Sequence, residues 1–161
     1  MTVRMLHRTS LLVFALCSLP SLAKDRDGAV GEPLDGPFVT VTLLGAEDDK
    51  VGLRLSWLVE PMEGSAGFAD GLDNGVIVKN RKVYVRSTTR STVEAFEERH
   101  PGVVPARPMR LTARVVEVLV KGAKKEPGSV AVLSLGAWAP NVKAEGASGA
   151  KPQFDTFRVR L

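Results

Sequence analysis

Regular alternation of apolar and polar residues is the feature that most constrains the fold of this chain. In FVTVTLL (38–44), Val39, Val41 and Leu43 alternate with threonines. A repeat of two residues is typical of a β-strand with one buried face, and the polar segment GAEDDK that follows predicts a turn. The segment VGLRLSWL (51–58) repeats the alternation with Val51, Leu53, Leu55 and Trp57. Together these segments predict a β-hairpin.

Further segments with the same repeat indicate that strands dominate the chain. GVIVKNRKVYVRS (75–87) predicts a second hairpin or one long bent strand, with its valines facing inward. In MRLTARVVEVLVKG (109–122), Leu111 and Ala113 belong to one apolar face, and that face changes at Val115-Val116. The change predicts a bulge, or a bend onto a second sheet. Two more strands are predicted at VAVLSLGAW (130–138) and QFDTFRVRL (153–161).

One short helix interrupts the strands, at about 91–100. Ser91 and Glu94 stand at capping-box spacing, and Pro101-Gly102 ends the helix. The connections are too short for parallel crossovers, so antiparallel pairing is expected. The predicted fold is mainly β, a β-rich α+β domain. It is either a small antiparallel barrel, similar in element order to an OB-type Greek-key barrel, or a β-sandwich with one side helix.

The N-terminal stretch LLVFALCSLPSLAKD (11–25) has the pattern of a signal peptide. Its apolar run Leu11–Leu19 follows basic residues and is shorter than the roughly twenty residues that span a bilayer. Small residues precede the predicted cleavage after Ala23. A lipid anchor on Cys17 is disfavoured because bulky Leu16 precedes it. We therefore expect an exported protein, periplasmic or secreted, with no transmembrane span.

This cleavage defines the predicted domains and limits the chemistry of the mature chain. Residues 1–23 form the signal peptide, residues 24–37 a flexible arm rich in Gly, Pro and Asp, and residues 38–161 a single β-rich domain. Because Cys17 is the only cysteine, the mature chain would have no disulfide, thiol nucleophile or cysteine-based metal site. Losing Arg4 and Arg8 lowers the formal net charge, +4 for the whole chain, by two. Such a balance gives little support for polyanion binding.

The sequence predicts no catalytic residue, metal site or cofactor. His100 is the one histidine after the leader, and its place before Pro101 predicts a helix-capping role. Asp70, Asp73 and Asn74 lack the alternating spacing of a calcium loop and are interpreted as a turn. A hydrolase would need His100 as its base, and no Gly-x-Ser-x-Gly motif is present.

Binding residues are predicted in two places. The long loop 60–74 carries Met62 and Phe68, which either pack under the loop or form a contact surface together with Trp138. On the third strand, Lys82, Tyr84 and Arg86 share a face that could bind an oligosaccharide or an oligonucleotide. Three lysines of one loop could flank that face: Lys121, Lys124 and Lys125.

These patterns lead to one hypothesis and two alternatives. The chain is expected to be a non-enzymatic exported domain that binds an envelope protein or a small ligand. A hydrolase acting on envelope or extracellular material is the first alternative, and an OB-like binder of oligosaccharide or oligonucleotide is the second.

Overall fold

A computed structural model describes residues 25–85, 87–140 and 151–161 of the chain. The predicted signal peptide and Arg86 lie outside this range. The described residues form strands and one helix, in the following order: β1 (Asp25–Ala29), β2 (Pro33–Asp35), β3 (Val39–Asp48), β4 (Gly52–Pro61), β5 (Phe68–Asp70), β6 (Gly75–Val78), β7 (Arg81–Tyr84), β8 (Ser87–Ser91), α1 (Val93–Arg99), β9 (Arg114–Lys121), β10 (Val130–Ala137) and β11 (Gln153–Arg160).

The strands form two sheets that do not close into a barrel. The terminal sheet has the order β1-β11-β10-β6-β7, and β5 also pairs with β10. The helix-bearing sheet has the order β2-β3-β4-β9-β8. Each sheet keeps its own two edges, so of the two architectures left open by the sequence, the β-sandwich is the one present. Element order alone could not distinguish the barrel from the sandwich, because the two architectures differ in whether the edge strands pair with each other.

The main core lies between the two sheets and confirms the alternation read from the sequence. Leu43, Trp57 and Phe157 are fully buried there, together with alternate residues of the neighbouring strands. The predicted first hairpin is β3–β4, paired from Val39↔Pro61 to Asp48↔Leu53. Val51 is the exception: it precedes β4 and remains 41% exposed.

A second, smaller core on the outer face of the helix-bearing sheet explains the change of apolar face in β9. Val115 packs there with Leu58 and with Phe96 of α1, whereas Val116 points into the main core. The β4–β9 ladder has no register shift, and β9 belongs to one sheet only. The prediction of a bulge, or of a bend onto a second sheet, at Val115-Val116 is therefore wrong. Both faces of β9 are apolar because both are covered. The register shift lies instead in β3, between Leu43 and Gly45.

The single helix is present, but its cap lies one residue later than the sequence predicts. Thr92 is the N-cap, and its hydroxyl accepts a hydrogen bond from the Ala95 N–H at 3.2 Å. Ser91 is the last residue of β8. The helix ends at His100, whose backbone N–H donates to the Phe96 carbonyl at 2.9 Å.

The sequence predicts a flexible arm for residues 24–37, but the structure contains two strands there, β1 and β2. β1 pairs with β11 and β2 pairs with β3, each strand forming an edge of its sheet. The β1–β11 pairing is parallel, which contradicts the expectation of antiparallel pairing throughout. That expectation came from short connections between neighbouring strands. It does not constrain strands from opposite ends of the chain.

Two further strands lie where the sequence predicts none. β5 falls inside the predicted loop 60–74 and pairs with the end of β10, placing Phe68 opposite Ala137. β8 joins β7 to the helix and pairs with β9. The predicted second hairpin, β6–β7, is confirmed, with Lys79 and Asn80 at positive φ in its turn.

Candidate functional site

Two grooves bring polar and apolar side chains together at the surface. The outer groove lies on the helix-bearing sheet, beside β2 and the end of β4, and is covered on one side by residues 107–112. The edge groove lies on the terminal sheet, between the β6–β7 hairpin and residues 122–126. Their volumes are about 790 Å³ and about 690 Å³, respectively.

The floor of the outer groove is an ion pair whose carboxylate is nearly buried. The Glu60 side chain is 5% exposed, and the Arg107 guanidinium donates to both of its carboxylate oxygens. This hydrogen-bonded carboxylate raises the pKa of Arg107 above its ordinary value, against the opposing effect of desolvation. The bidentate pair fixes the planar guanidinium, and with it the covering segment, against the end of β4.

Two further hydrogen bonds hold the same segment. Arg110 donates from a terminal guanidinium nitrogen to the Glu60 carbonyl at 2.8 Å, and the Thr112 hydroxyl donates to the Pro61 carbonyl at 3.1 Å. Residues 107–112 thus lie on the sheet without pairing as a strand. The groove that they cover is consequently a fixed feature of the surface.

The walls of the outer groove combine apolar side chains with hydrogen-bonding groups. Pro33, Met109 and Leu111 supply apolar surface, and Leu111 is 99% exposed. Thr40 lines the opposite side, and its hydroxyl donates to an Asp35 oxygen at 2.8 Å. A concave apolar site with a few fixed polar groups is typical of small-molecule binding.

Sequence reasoning missed this groove because it interpreted residues 109–113 as the start of a strand. β9 begins only at Arg114. The signal that was available is the spacing of Pro105 and Pro108, since proline withholds an N–H from a strand ladder and favours irregular backbone.

The residues predicted in the long loop are placed differently from one another. Phe68 is half-buried against the main core, and the Arg90 guanidinium lies 4.2 Å from its ring centroid. Arg90 also pairs with Asp70 at 3.0 Å. Phe68 therefore packs under the loop, which is one of the two placements that the sequence allows.

Trp138 and Met62 lie near the ends of two different strands. The half-buried Trp138 follows β10, where its carbonyl accepts a hydrogen bond from the Ser65 hydroxyl at 2.7 Å. Because Phe68 pairs with Ala137, the residue before Trp138, strand pairing brings Trp138 close to Phe68. Met62 directly follows β4 and is 37% exposed. Its backbone N–H donates to the Phe38 carbonyl at 2.8 Å.

The edge groove contains Lys82 and Tyr84, as the sequence predicts for one face of this strand; the third predicted member, Arg86, is outside the described residues. Lys124 faces them across the groove, on the predicted flanking loop. The structure also brings an acidic turn to that loop. Lys124 contacts the Asp49 carbonyl, and the Lys125 N–H donates to an Asp48 oxygen at 2.9 Å.

His100 lies in a charged cluster around Glu117. Its ring stacks on Phe96 with centroids 4.6 Å apart, and its Nε2 lies 3.8 Å from a Glu117 oxygen. Arg99 and Arg54 also approach this carboxylate, at 3.0 Å and 3.7 Å. Glu117 is thus surrounded by cationic donors.

The aspartates weighed for calcium are engaged in other contacts. Asp70 pairs with Arg90, and Asp73 accepts from Lys82 at 3.2 Å. The buried Asn74 accepts the Ser134 N–H at 2.7 Å. Over the described ranges, no group of three or more His, Cys, Asp or Glu residues could hold a metal ion. No helix within those ranges is long and apolar enough to cross a membrane.

Comparisons with protein-family models, with curated proteins and with solved structures found nothing that matches this chain.

Proposed function

We propose that this chain is an exported, non-enzymatic β-sandwich domain that binds a small amphipathic ligand in the outer groove. The observation that carries the proposal is the combination of exposed apolar walls with a fixed polar floor. Leu111 and Met109 offer apolar contact, and the Glu60–Arg107 pair holds the segment on which they lie.

The size of the groove favours a small molecule over a protein partner. Its volume of about 790 Å³ falls within the range of roughly 300–1,000 Å³ found for ligand pockets. A protein interface needs a much larger contiguous patch. Phe68, for which the sequence left open either packing under the loop or a contact surface, is packed against the core.

The polar groups of the groove favour a ligand that carries a hydrogen-bond acceptor. The hydroxyls of Thr40 and Thr112 already donate to the protein. Arg110 is exposed and uses one guanidinium nitrogen on the Glu60 carbonyl, so its remaining N–H groups can donate to a ligand. The expected ligand is an apolar body with an anionic or carbonyl group placed at Arg110.

Export is part of the proposal and is supported by the pattern of residues 1–23. A basic start, a short apolar run and small residues before Lys24 are typical of a cleaved signal peptide. Mass spectrometry of the protein isolated from its host's envelope or medium tests this part. A mass beginning at Lys24 is expected, and an intact Met1 would contradict export.

Ligand binding can be tested with 1-anilinonaphthalene-8-sulfonate, a fluorescent probe with an apolar body and one anionic group. We expect the wild-type protein to enhance its fluorescence in a saturable manner. Leu111→Asp should weaken binding about tenfold, because it removes apolar contact and places a carboxylate beside the probe's anion. Leu111 is 99% exposed, so the substitution leaves the folded core intact.

Leu72→Asp is the matched control. Leu72 is 94% exposed and does not line the outer groove. The Leu72→Asp protein should bind the probe with the same affinity as the wild type. Equal weakening in both variants, or no saturable binding by the wild type, would contradict the proposed ligand site.

A further inference from the structure

We infer a second binding site, independent of the outer groove: the edge groove takes a neutral oligosaccharide, with Tyr84 as the surface on which a sugar ring stacks. The inference rests on the exposure of Tyr84, on the pairing of the charges around it and on the shape of the groove.

Tyr84 presents an aromatic ring that its own sheet leaves open. It lies on the edge strand β7 and is 62% exposed. Its cross-strand neighbour is Gly75, which has no side chain to cover the ring. A Cβ at Gly75 would lie 2.1 Å from the Val83 carbonyl oxygen, so the backbone permits only glycine there. The bare position beside the ring is therefore built into the strand pairing.

The ammonium group of Lys82 lies near the Tyr84 ring. Its ammonium lies 5.5 Å from the Tyr84 centroid and donates to the Asp73 carbonyl at 2.8 Å. The electron-rich face of an aromatic ring attracts positively polarised groups, including the C–H groups along one side of a pyranose ring. The Tyr84 ring is exposed to solvent and is therefore available for this contact.

Two of the lysines that line the edge groove are paired with carboxylates. Lys82 pairs with Asp73 at 3.2 Å, and Lys79 pairs with Glu126 at 3.4 Å. Each sugar hydroxyl both donates and accepts a hydrogen bond. A lysine beside a carboxylate offers an acceptor and a donor at adjacent positions, which matches that chemistry.

This pairing disfavours a nucleic acid or another polyanion as the ligand. Polyanion affinity comes from unneutralised cations that displace counterions. Here Asp73 and Glu126 pair with Lys82 and Lys79. The acidic turn of Asp48 and Asp49 contacts the loop of Lys124 and Lys125 through hydrogen bonds that each involve one backbone group. With two of its lysines paired, the groove favours neutral sugars over a polyanion. Its volume of about 690 Å³ accommodates one or two sugar rings beside Tyr84.

The test uses three neutral probes, chitohexaose, cellohexaose and maltohexaose, with the single-stranded DNA dT15 as the polyanion. Tyr84 is the only tyrosine in the chain, so one set of ring signals in a tyrosine-labelled NMR spectrum reports directly on the site. We expect at least one neutral probe to shift these signals saturably. dT15 should leave them unmoved in physiological salt.

Two variants separate stacking from other effects. Both lack the tyrosine signals, so their sugar binding is compared with that of the wild type by isothermal titration calorimetry. Tyr84→Phe keeps the ring and should bind within about twofold of the wild type, whereas Tyr84→Ala should weaken binding at least tenfold. Leu111→Asp should bind the sugar normally, because it changes only the outer groove. Failure of all three sugars to move the Tyr84 signals, a saturable response to dT15 instead, or unchanged binding by Tyr84→Ala would each overturn the inference.

Discussion

Glu60 has a nearly buried side chain that forms an ion pair with Arg107. Its carboxylate is almost withdrawn from water and is satisfied by Arg107. An ion removed from water is costly unless a counter-charge and hydrogen bonds replace the solvent. The pair therefore stabilises the protein chiefly by preventing an unpaired charge.

This dependence predicts that Arg107→Met lowers the free energy of unfolding by about 2 kcal/mol, because Glu60 remains without its partner. The double variant Glu60→Met/Arg107→Met should be more stable than Arg107→Met alone. Urea denaturation of all three proteins measures the difference. A double variant that is less stable than Arg107→Met would contradict the role assigned to the pair.

Asp49 gives stability a defined dependence on pH. The hydrogen bond from Arg54 lowers the pKa of Asp49 below its ordinary value. A carboxyl whose pKa is lower in the folded state stabilises the fold above its unfolded pKa. This contribution disappears as the pH falls through the folded pKa.

We therefore expect Asp49→Asn to lower the urea midpoint at pH 7, and we expect this effect to shrink as the pH falls through the folded pKa of Asp49. Urea titrations of both proteins across this range test the sign. A difference between them that persists undiminished at the acidic end would show that Asp49 acts through packing and not through charge.

At the scale of elements, α1 depends on its N-cap because it is short and packs mainly through Phe96. Thr92→Ala removes the hydroxyl that accepts the Ala95 N–H. We expect it to cost about 1 kcal/mol of unfolding free energy. Ser91→Ala should cost less than about 0.5 kcal/mol, because Ser91 belongs to β8. Thermal unfolding of the two variants tests whether Thr92 is the N-cap. A larger loss of stability in Ser91→Ala than in Thr92→Ala would support the capping box that the sequence predicts.

The sequence could predict those strands whose faces differ in burial. β3, β4 and β11 alternate because one face meets the main core and the other meets solvent or the smaller core. β8, with the sequence STTRS, carries no such pattern because it is a mostly exposed edge held by backbone hydrogen bonds to β9. β1 escaped prediction for the same reason. Backbone pairing leaves little trace in side-chain hydropathy.

At the scale of the whole molecule, the two grooves differ in how far they could be predicted. The edge groove is built mostly on one hairpin, so Lys82 and Tyr84 could be recognised from their shared strand face. The outer groove brings together Pro33, Glu60 and Leu111 from distant parts of the chain. Such a site follows from sheet order and from the packing of an irregular segment, which local periodicity does not encode.

The parallel pairing of β1 with β11 also has a mechanical consequence. The ladder runs from Asp25 beside Thr156 to Ala29 beside Arg160, so the two terminal strands leave it in opposite directions along its axis. Tension between residues 25 and 161 would load all rungs of this ladder in shear, at the same time. Antiparallel terminal strands would instead open one rung after another, like a zip. Under such tension, β1, which lies in the segment predicted to be a flexible arm, would bear the load through its hydrogen bonds to β11.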